Sequence, residues 1–271
     1  MKFIDLELVR RLEMVSALSG KTCADAAQKF HPELGAASEE IAGGIAVYAG
    51  IDSPVTQALG VGLSGPVTDA ELNRLEHFFQ SRGAATTIEL CPFADIPIYE
   101  AFAKREYRLV EVSNVLFREL GPADSFPPPP SGVAVRPALP EDEKLFTQTV
   151  AQGFAEIAPV TQPLLDVMEG FFHSEGNHSF FAFVDGVAAG GASAFAFDGV
   201  AGMFGASTLP QFRGRGVQTA LLSARLNWAV QHGCDLAKGI TLPGSTSHRN
   251  HERLSFRVAY TRTKLVRQAL A

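Results

Sequence analysis

The sequence predicts an α/β fold: two halves, each a mostly antiparallel, twisted sheet flanked by helices. Three observations predict it. Strand-period and helix-period runs alternate along the chain. A proline run breaks that alternation near the middle, and the order of elements after the break partly repeats the order before it. With 271 residues, 46% hydrophobic and 19% charged, the chain can bury its cores without metal or disulfide staples.

In the first half, helical patterns cover 6–18 and 23–30, and strand patterns cover 45–48 and 55–61. A helix at 69–82, a strand at 86–90, a short helix at 98–104 and a strand from 107 follow. Pro127 to Pro130 fit neither a helix nor a central strand and favour a semi-rigid spacer. The expected division is therefore 1–121, a linker at 122–132, and 133–271. The second half opens with a strand at 133–137 and helices at 141–156 and 162–173. Strands at 179–184, 188–197 and 202–209 come next, separated by the hairpin-forming pairs Asp185-Gly186 and Asp198-Gly199. A helix at 216–232, a strand at 236–242, a short helix at 245–254 and a strand at 256–264 complete it. The two long helices end at Gly83 and Gly233, 150 positions apart, and Ala70 and Leu72 match Ala220 and Leu222 at the same offset.

Composition narrows the function. Lys and Arg number 23 against 29 for Asp and Glu, and the net charge is −6. A field of that sign favours neither phosphate backbones nor anionic lipid, so neither nucleic acid nor membrane is an expected partner. Charge-free stretches fall short of the roughly 20 apolar residues of a membrane span. Acidic residues stand near the start, where a signal peptide has its apolar core. Cys23, Cys91 and Cys234 are odd in number and form no Cys-x-x-Cys pair. No disulfide and no metal site are expected, and a cytoplasmic location is.

The chemistry concentrates between Thr208 and Thr219, where a strand gives way to a long helix. Gly214 and Gly216 allow a tight turn and close approach to a ligand. The first-turn amides of the helix point into that space, where the helix dipole favours an anion. Arg213 and Arg215 add charge, and no acidic residue occurs from Val217 to His232. A phosphate or pyrophosphate is the expected guest. The matching helix start in the first half, Thr68-Asp69-Ala70-Glu71, reads as a capping box that satisfies its own amides and sets two carboxylates in the anion's place.

Arg213-Gly214-Arg215-Gly216-Val217-Gln218 resembles the acetyl-CoA motif Gln/Arg-x-x-Gly-x-Gly/Ala of the GCN5-related N-acetyltransferases, the GNAT family. In this register Gln218 stands where Gly or Ala is usual. The element order from 133 to about 267 is similar to the family's as well. The resemblance implies a tandem arrangement with a degenerate N-terminal copy. It implies an acetyl-CoA-dependent acetyltransferase acting on a primary amine of an unidentified small-molecule or peptide acceptor, as monomer or homodimer. By the same resemblance, the amides from Arg213 through Val217 and Gln218 to Thr219 hold the pyrophosphate. Ser207, Thr208 and Leu209 lie along the pantetheine arm, and Asn250 corresponds to a helix Asn that touches that arm. A strand N–H polarises the thioester carbonyl. The family's usual general acid is a Tyr four residues before Gly-Phe. Ser255 replaces that Gly, and the count lands on His251; Tyr260 is the other candidate. Two alternatives stand beside this: a non-catalytic acyl-CoA-binding or sensor module, and, ranked last, a basic nucleic-acid contact.

Overall fold

A computed structural model describes residues 3–268; the outermost ends of the two expected halves, 1–2 and 269–271, lie outside it. The chain opens with one helix, α1 (Leu6–Phe30), where the periodicity suggests two. The Asp5 carboxylate caps it by accepting from the Leu8 amide at 2.9 Å. Ser19 and Gly20 sit in its interior against the sheet, where a Cβ on Gly20 would stand 3.5 Å from Val47. A small residue here marks a close helix–sheet approach and leaves the helix unbroken.

The N-terminal half continues with β1 (Ala37–Ile41), β2 (Gly44–Tyr48), β3 (Gln57–Leu59), α2 (Asp69–Gln80), β4 (Thr86–Leu90), α3 (Pro97–Lys104) and β5 (Arg108–Glu119). The sequence pattern does not reveal β1, an edge strand whose two glutamates obscure the alternation. The expected strand at 55–61 contracts to three residues. The C-terminal half holds β6 (Val133–Pro137), α4 (Glu143–Ala155), α5 (Gln162–His173), β7 (Asn177–Val184), β8 (Val187–Phe197), β9 (Val200–Thr208), α6 (Val217–Gln231), β10 (Leu236–Thr241), α7 (Thr246–Arg253) and β11 (Arg257–Arg267). Here each expected element is present with small shifts at its ends.

All strands join one eleven-stranded sheet in the order β1-β2-β3-β4-β11-β5-β10-β9-β8-β7-β6. The final strands of the halves have changed places. β11 pairs with β4 of the first half, and β5 pairs with β10 of the second. β5 and β11 also pair with each other across the centre. The α1, α4 and α5 helices cover one face of this sheet, and α2, α3, α6 and α7 cover the other. α1 spans both halves: Arg10 donates to Leu63 O, and Arg11 pairs with Asp198 and Asp235.

The proline segment is packed down as a strap. Phe126 is buried against α6, and its amide donates to Asn227 Oδ1 at 3.3 Å. Pro130 lies over Gly216, where an added Cβ would stand 2.9 Å from Pro130 Cγ. Gly216 also has φ 82°. Gly216→Ala is therefore expected to cost about 1–2 kcal/mol in left-handed backbone strain alone. Urea unfolding checks this, and an unchanged midpoint would refute the strap contact.

Candidate functional site

β9 and β10 run parallel, but their ladder ends at the pair Met203 and Gly239. β9 continues to Thr208, so from Phe204 onward one of its edges has no strand beside it among the described residues. A bulge reinforces the divergence. The β8–β9 register shifts between Gly191 and Ser193, and Gly205 takes φ 59°. The fully buried Arg225 of α6 reaches this bulge, its guanidinium donating to Ser193 O at 3.3 Å and to Phe204 O at 3.5 Å. Burial pulls its pKa down to about 9. Arg225 shares the buried face of α6 with Leu221, Leu222 and Trp228, and the carbonyls at the bulge give its guanidinium partners there.

The segment after β9 turns through Pro210–Phe212 into α6, whose N-cap is Gly216 in left-handed conformation. No side chain caps it among the described residues, so the first-turn amides are left to a ligand or water. Open space surrounds the position of a Cβ on Gly214. Arg213 pairs with Glu156 at 2.9 Å and Arg215 with Asp185 at 2.8 Å, with all four side chains substantially exposed. The sequence gives no hint of these two carboxylates. A register two residues earlier, Gln211-x-x-Gly214-x-Gly216, fits the Gln/Arg-x-x-Gly-x-Gly/Ala pattern with no departure and ends on the N-cap. Gln211, absent from the expected set, belongs with this loop. The uncapped turn, the open backbone and the two arginines fit a pyrophosphate.

Along β9, Ser207 is buried and its hydroxyl donates to Val150 O at 2.8 Å. The buried Thr208 hydroxyl has no hydrogen-bond partner among the described residues. The Leu209 amide is taken by Ala189 O at 2.9 Å. Asn250 is buried and accepts from Arg253 at 2.9 Å.

His251 lies beneath β10, its ring edge filling the space that a Cβ on Gly239 would occupy. Nδ1 bonds Ser247 O at 2.8 Å, which assigns the proton to Nδ1. Nε2 has no partner among the described residues. Burial pushes its pKa down to about 4. The unfolded chain thus takes up a proton near pH 6.5 that the folded chain refuses until about pH 4. Stability falls as the pH drops through that window, by about 3 kcal/mol in all. A His251→Asn variant should show a flatter stability profile between pH 6.5 and 4; an equally steep profile would refute the assignment.

Tyr260 stands apart, on the α1 face. Its hydroxyl donates to Glu13 Oε1 at 2.6 Å, and burial together with Glu13 raises its pKa well above the ordinary value. Glu13 also pairs with Arg262 at 3.3 Å, and Arg262 with Glu89 at 2.9 Å. Burial alone would raise the Glu13 carboxyl, but Arg262 and Lys238 hold it below its usual range. Lys238 donates to Leu12 O and, at 2.6 Å, to Ser16 Oγ; burial brings its pKa down to about 8.

Between this network and the open edge of β9 lies a cavity of about 320 Å³. Both halves wall it: Val15 and Leu59 from the first; Val167, Met168, Phe171 and Phe204 from the second. Among the described residues, no three His, Cys, Asp or Glu side chains gather as a metal would require, and no helix is long and apolar enough to cross a membrane.

Known proteins share this architecture. Residues 146–256 match the model of the acetyltransferase (GNAT) family. A GCN5-related N-acetyltransferase from Kribbella flavida aligns with a TM-score of 0.63 at 19% identity, covering 90% of this chain and 93% of its own. A tandem GNAT protein from the clavulanic acid biosynthesis pathway gives 0.61 at 15% identity over 98% and 95%. An acetyltransferase structure from Novosphingobium aromaticivorans gives 0.56 at 18% identity over 93% and 99%. No curated protein matches by sequence. Residues 146–256 thus carry the sequence pattern of the acetyltransferase (GNAT) family, in a chain whose whole fold is that of solved GNAT structures.

Proposed function

We propose that the chain is an acetyl-CoA-dependent N-acetyltransferase, with its C-terminal half holding the cosubstrate and its N-terminal half a degenerate copy that holds none. GNAT proteins are in general acyl-CoA-dependent N-acetyltransferases. The observation that carries the reading is the uncapped start of α6, immediately preceded by Arg213 and Arg215 and following the open edge of β9. The amides from Arg213 to Thr219 bind the pyrophosphate, and both arginines trade their surface carboxylates for phosphate oxygens. Ser207 and Thr208 line the pantetheine arm, with Asn250 on its far side. Acetyl-CoA supplies the thioester. A β9 N–H at the bulge polarises its carbonyl while a neutral primary amine of a small molecule or peptide attacks. The C–N bond forms, the C–S bond breaks, and the amine's proton passes to water. His251 is deprotonated at Nε2 at neutral pH and donates nothing there, so solvent protonates the leaving thiolate. The protein works in the cytoplasm as a monomer or homodimer, its three cysteines free and buried.

The first half supports its degenerate role. Thr68 and Glu71 close the capping box at α2, and Asp69 pairs with Arg105 at 2.8 Å. Ile98 and Val67 pack within 3.4 Å of a Cβ placed on Gly62, filling the corresponding space. One observation favours a second reading, acyl-CoA binding without turnover: His251 and Tyr260 are both buried, and Tyr260 is held by Glu13. Calorimetric titration with acetyl-CoA, beside dephospho-CoA and desulfo-CoA, tests both readings. Saturable 1:1 binding is expected, followed by thiol release across an amine library. Binding with no release from any amine would favour the second reading, and no binding at millimolar ligand would overturn both.

A further inference from the structure

We infer that the apolar cavity beside Gly205 takes an acyl chain of several carbons, and that the chain prefers a medium-chain acyl-CoA to acetyl-CoA. This rests on the CoA-thioester transferase reading above and revises its donor, with a longer acyl group in place of acetyl. Three observations carry it.

The first is position. The cavity opens on Gly202 to Gly205 of β9, at the bulge where a thioester carbonyl would rest against the strand. A chain extending past that carbonyl runs alongside the contacting rings of Phe204 and Phe171, whose centroids lie 4.7 Å apart, toward Val15 and Leu59. The second is size and surface. About 320 Å³ of mainly apolar-walled space is roughly twice the ~150 Å³ of a dry cavity that admits benzene. An acetyl group alone would leave most of it empty, and an unfilled apolar cavity forfeits packing. The third is charge. Among the described residues lining the cavity there is no carboxylate, whereas Lys238 and Arg262 both reach its wall. A polycationic amine would meet two buried cations and no counter-charge. An uncharged hydrocarbon meets no such repulsion, and both cations are already held in hydrogen bonds and ion pairs with Leu12, Ser16, Glu13 and Glu89.

The N-terminal half then has a task although it binds no CoA. Val15, Val55 and Leu59 close the far end of the cavity and set the chain length it accepts. The bonds made and broken are those already described, with a longer acyl group on the carbonyl carbon.

The test is calorimetry of the whole chain with CoA and the stable thioethers S-ethyl-, S-butyl-, S-hexyl- and S-octyl-CoA. Each buried methylene brings roughly a fourfold gain in affinity, so S-hexyl-CoA should bind at least tenfold tighter than S-ethyl-CoA. The gain should stop once the cavity is full. In a Val55→Trp variant, which fills the far end, the ratio of S-hexyl to S-ethyl affinity should fall below about threefold. Binding of CoA with a flat or falling thioether series would overturn the acyl pocket alone. Failure of CoA and every thioether to bind would overturn the CoA reading and the pocket together. A rising series that Val55→Trp leaves unchanged would place the chain outside this cavity and overturn the assignment.

Discussion

Replacing Arg213 and Arg215 together by alanine is expected to weaken CoA binding tenfold or more. Each arginine pairs with an exposed carboxylate, Glu156 or Asp185. Exposed pairs are worth about 0–1 kcal/mol, whereas a charge-assisted hydrogen bond to phosphate is worth about 1.5–3 kcal/mol. Phosphate wins that competition, and its loss outweighs the loss of the surface pairs. The double variant also leaves Glu156 and Asp185 uncompensated beside the anion. The complementary variant, Glu156→Gln with Asp185→Asn, should bind CoA more tightly than the parent. Calorimetry at fixed ionic strength reads both. Unchanged affinity in the arginine double variant would remove the loop from the site. Asp69→Asn with Glu71→Gln, at the corresponding turn of the first half, should leave CoA affinity where it was; a measurable loss there would reveal a site in that half.

Glu13→Ala should be among the most destabilising single changes in the chain. Glu13 is buried between Tyr260, Arg262 and the Lys238 charge. Its removal leaves the buried Arg262 guanidinium with Glu89 alone and the buried Tyr260 hydroxyl without its acceptor, a loss on the order of 3–5 kcal/mol. At about 2–4 °C per kcal/mol for a chain of this size, the Tm should fall by about 6–20 °C. Glu13→Gln keeps an acceptor for the Tyr260 hydroxyl and should recover part of the loss. A Tm within about 2 °C of the parent for Glu13→Ala would refute the network's role. The same carboxylate predicts acid sensitivity. Its pKa is lowered by folding, so its contribution is complete above the ordinary carboxylate range and is lost as the pH falls through the lowered folded value.

The second half was legible because its hairpins are punctuated by Asp-Gly pairs and its α6 start concentrates glycine, arginine and a lack of acid within a dozen residues. Local signals of that kind act over the span in which sequence periodicity is read. What stayed hidden involves residues distant along the chain. Glu156 and Asp185 come to the loop before α6 from the C-terminal cap of α4 and from a hairpin turn. Arg225 finds its partners on two strands, Ser193 O of β8 and Phe204 O of β9, beside the bulge. Glu13 and Arg262 meet from opposite ends of the sequence. In α1 the difficulty was local: Ser19 and Gly20 read as punctuation but serve as a point of close contact. The motif register at Gln211 was visible in principle, and fixing the helix start at Val217 singles it out.

The exchanged last strands bear on how the protein is made. β4 and β5 emerge from the ribosome well before β11, yet the place between them belongs to β11. Until it arrives, the first half holds an unfilled slot flanked by two exposed ladder edges, a surface prone to pairing with other chains. The pairings that close the sheet join residues 140 to 181 positions apart, so folding should be slow for a chain of this length and late relative to translation. Separate expression of 1–121 or of 133–271 would leave each piece without its partner's strand, and the two pieces mixed together should assemble where neither folds alone.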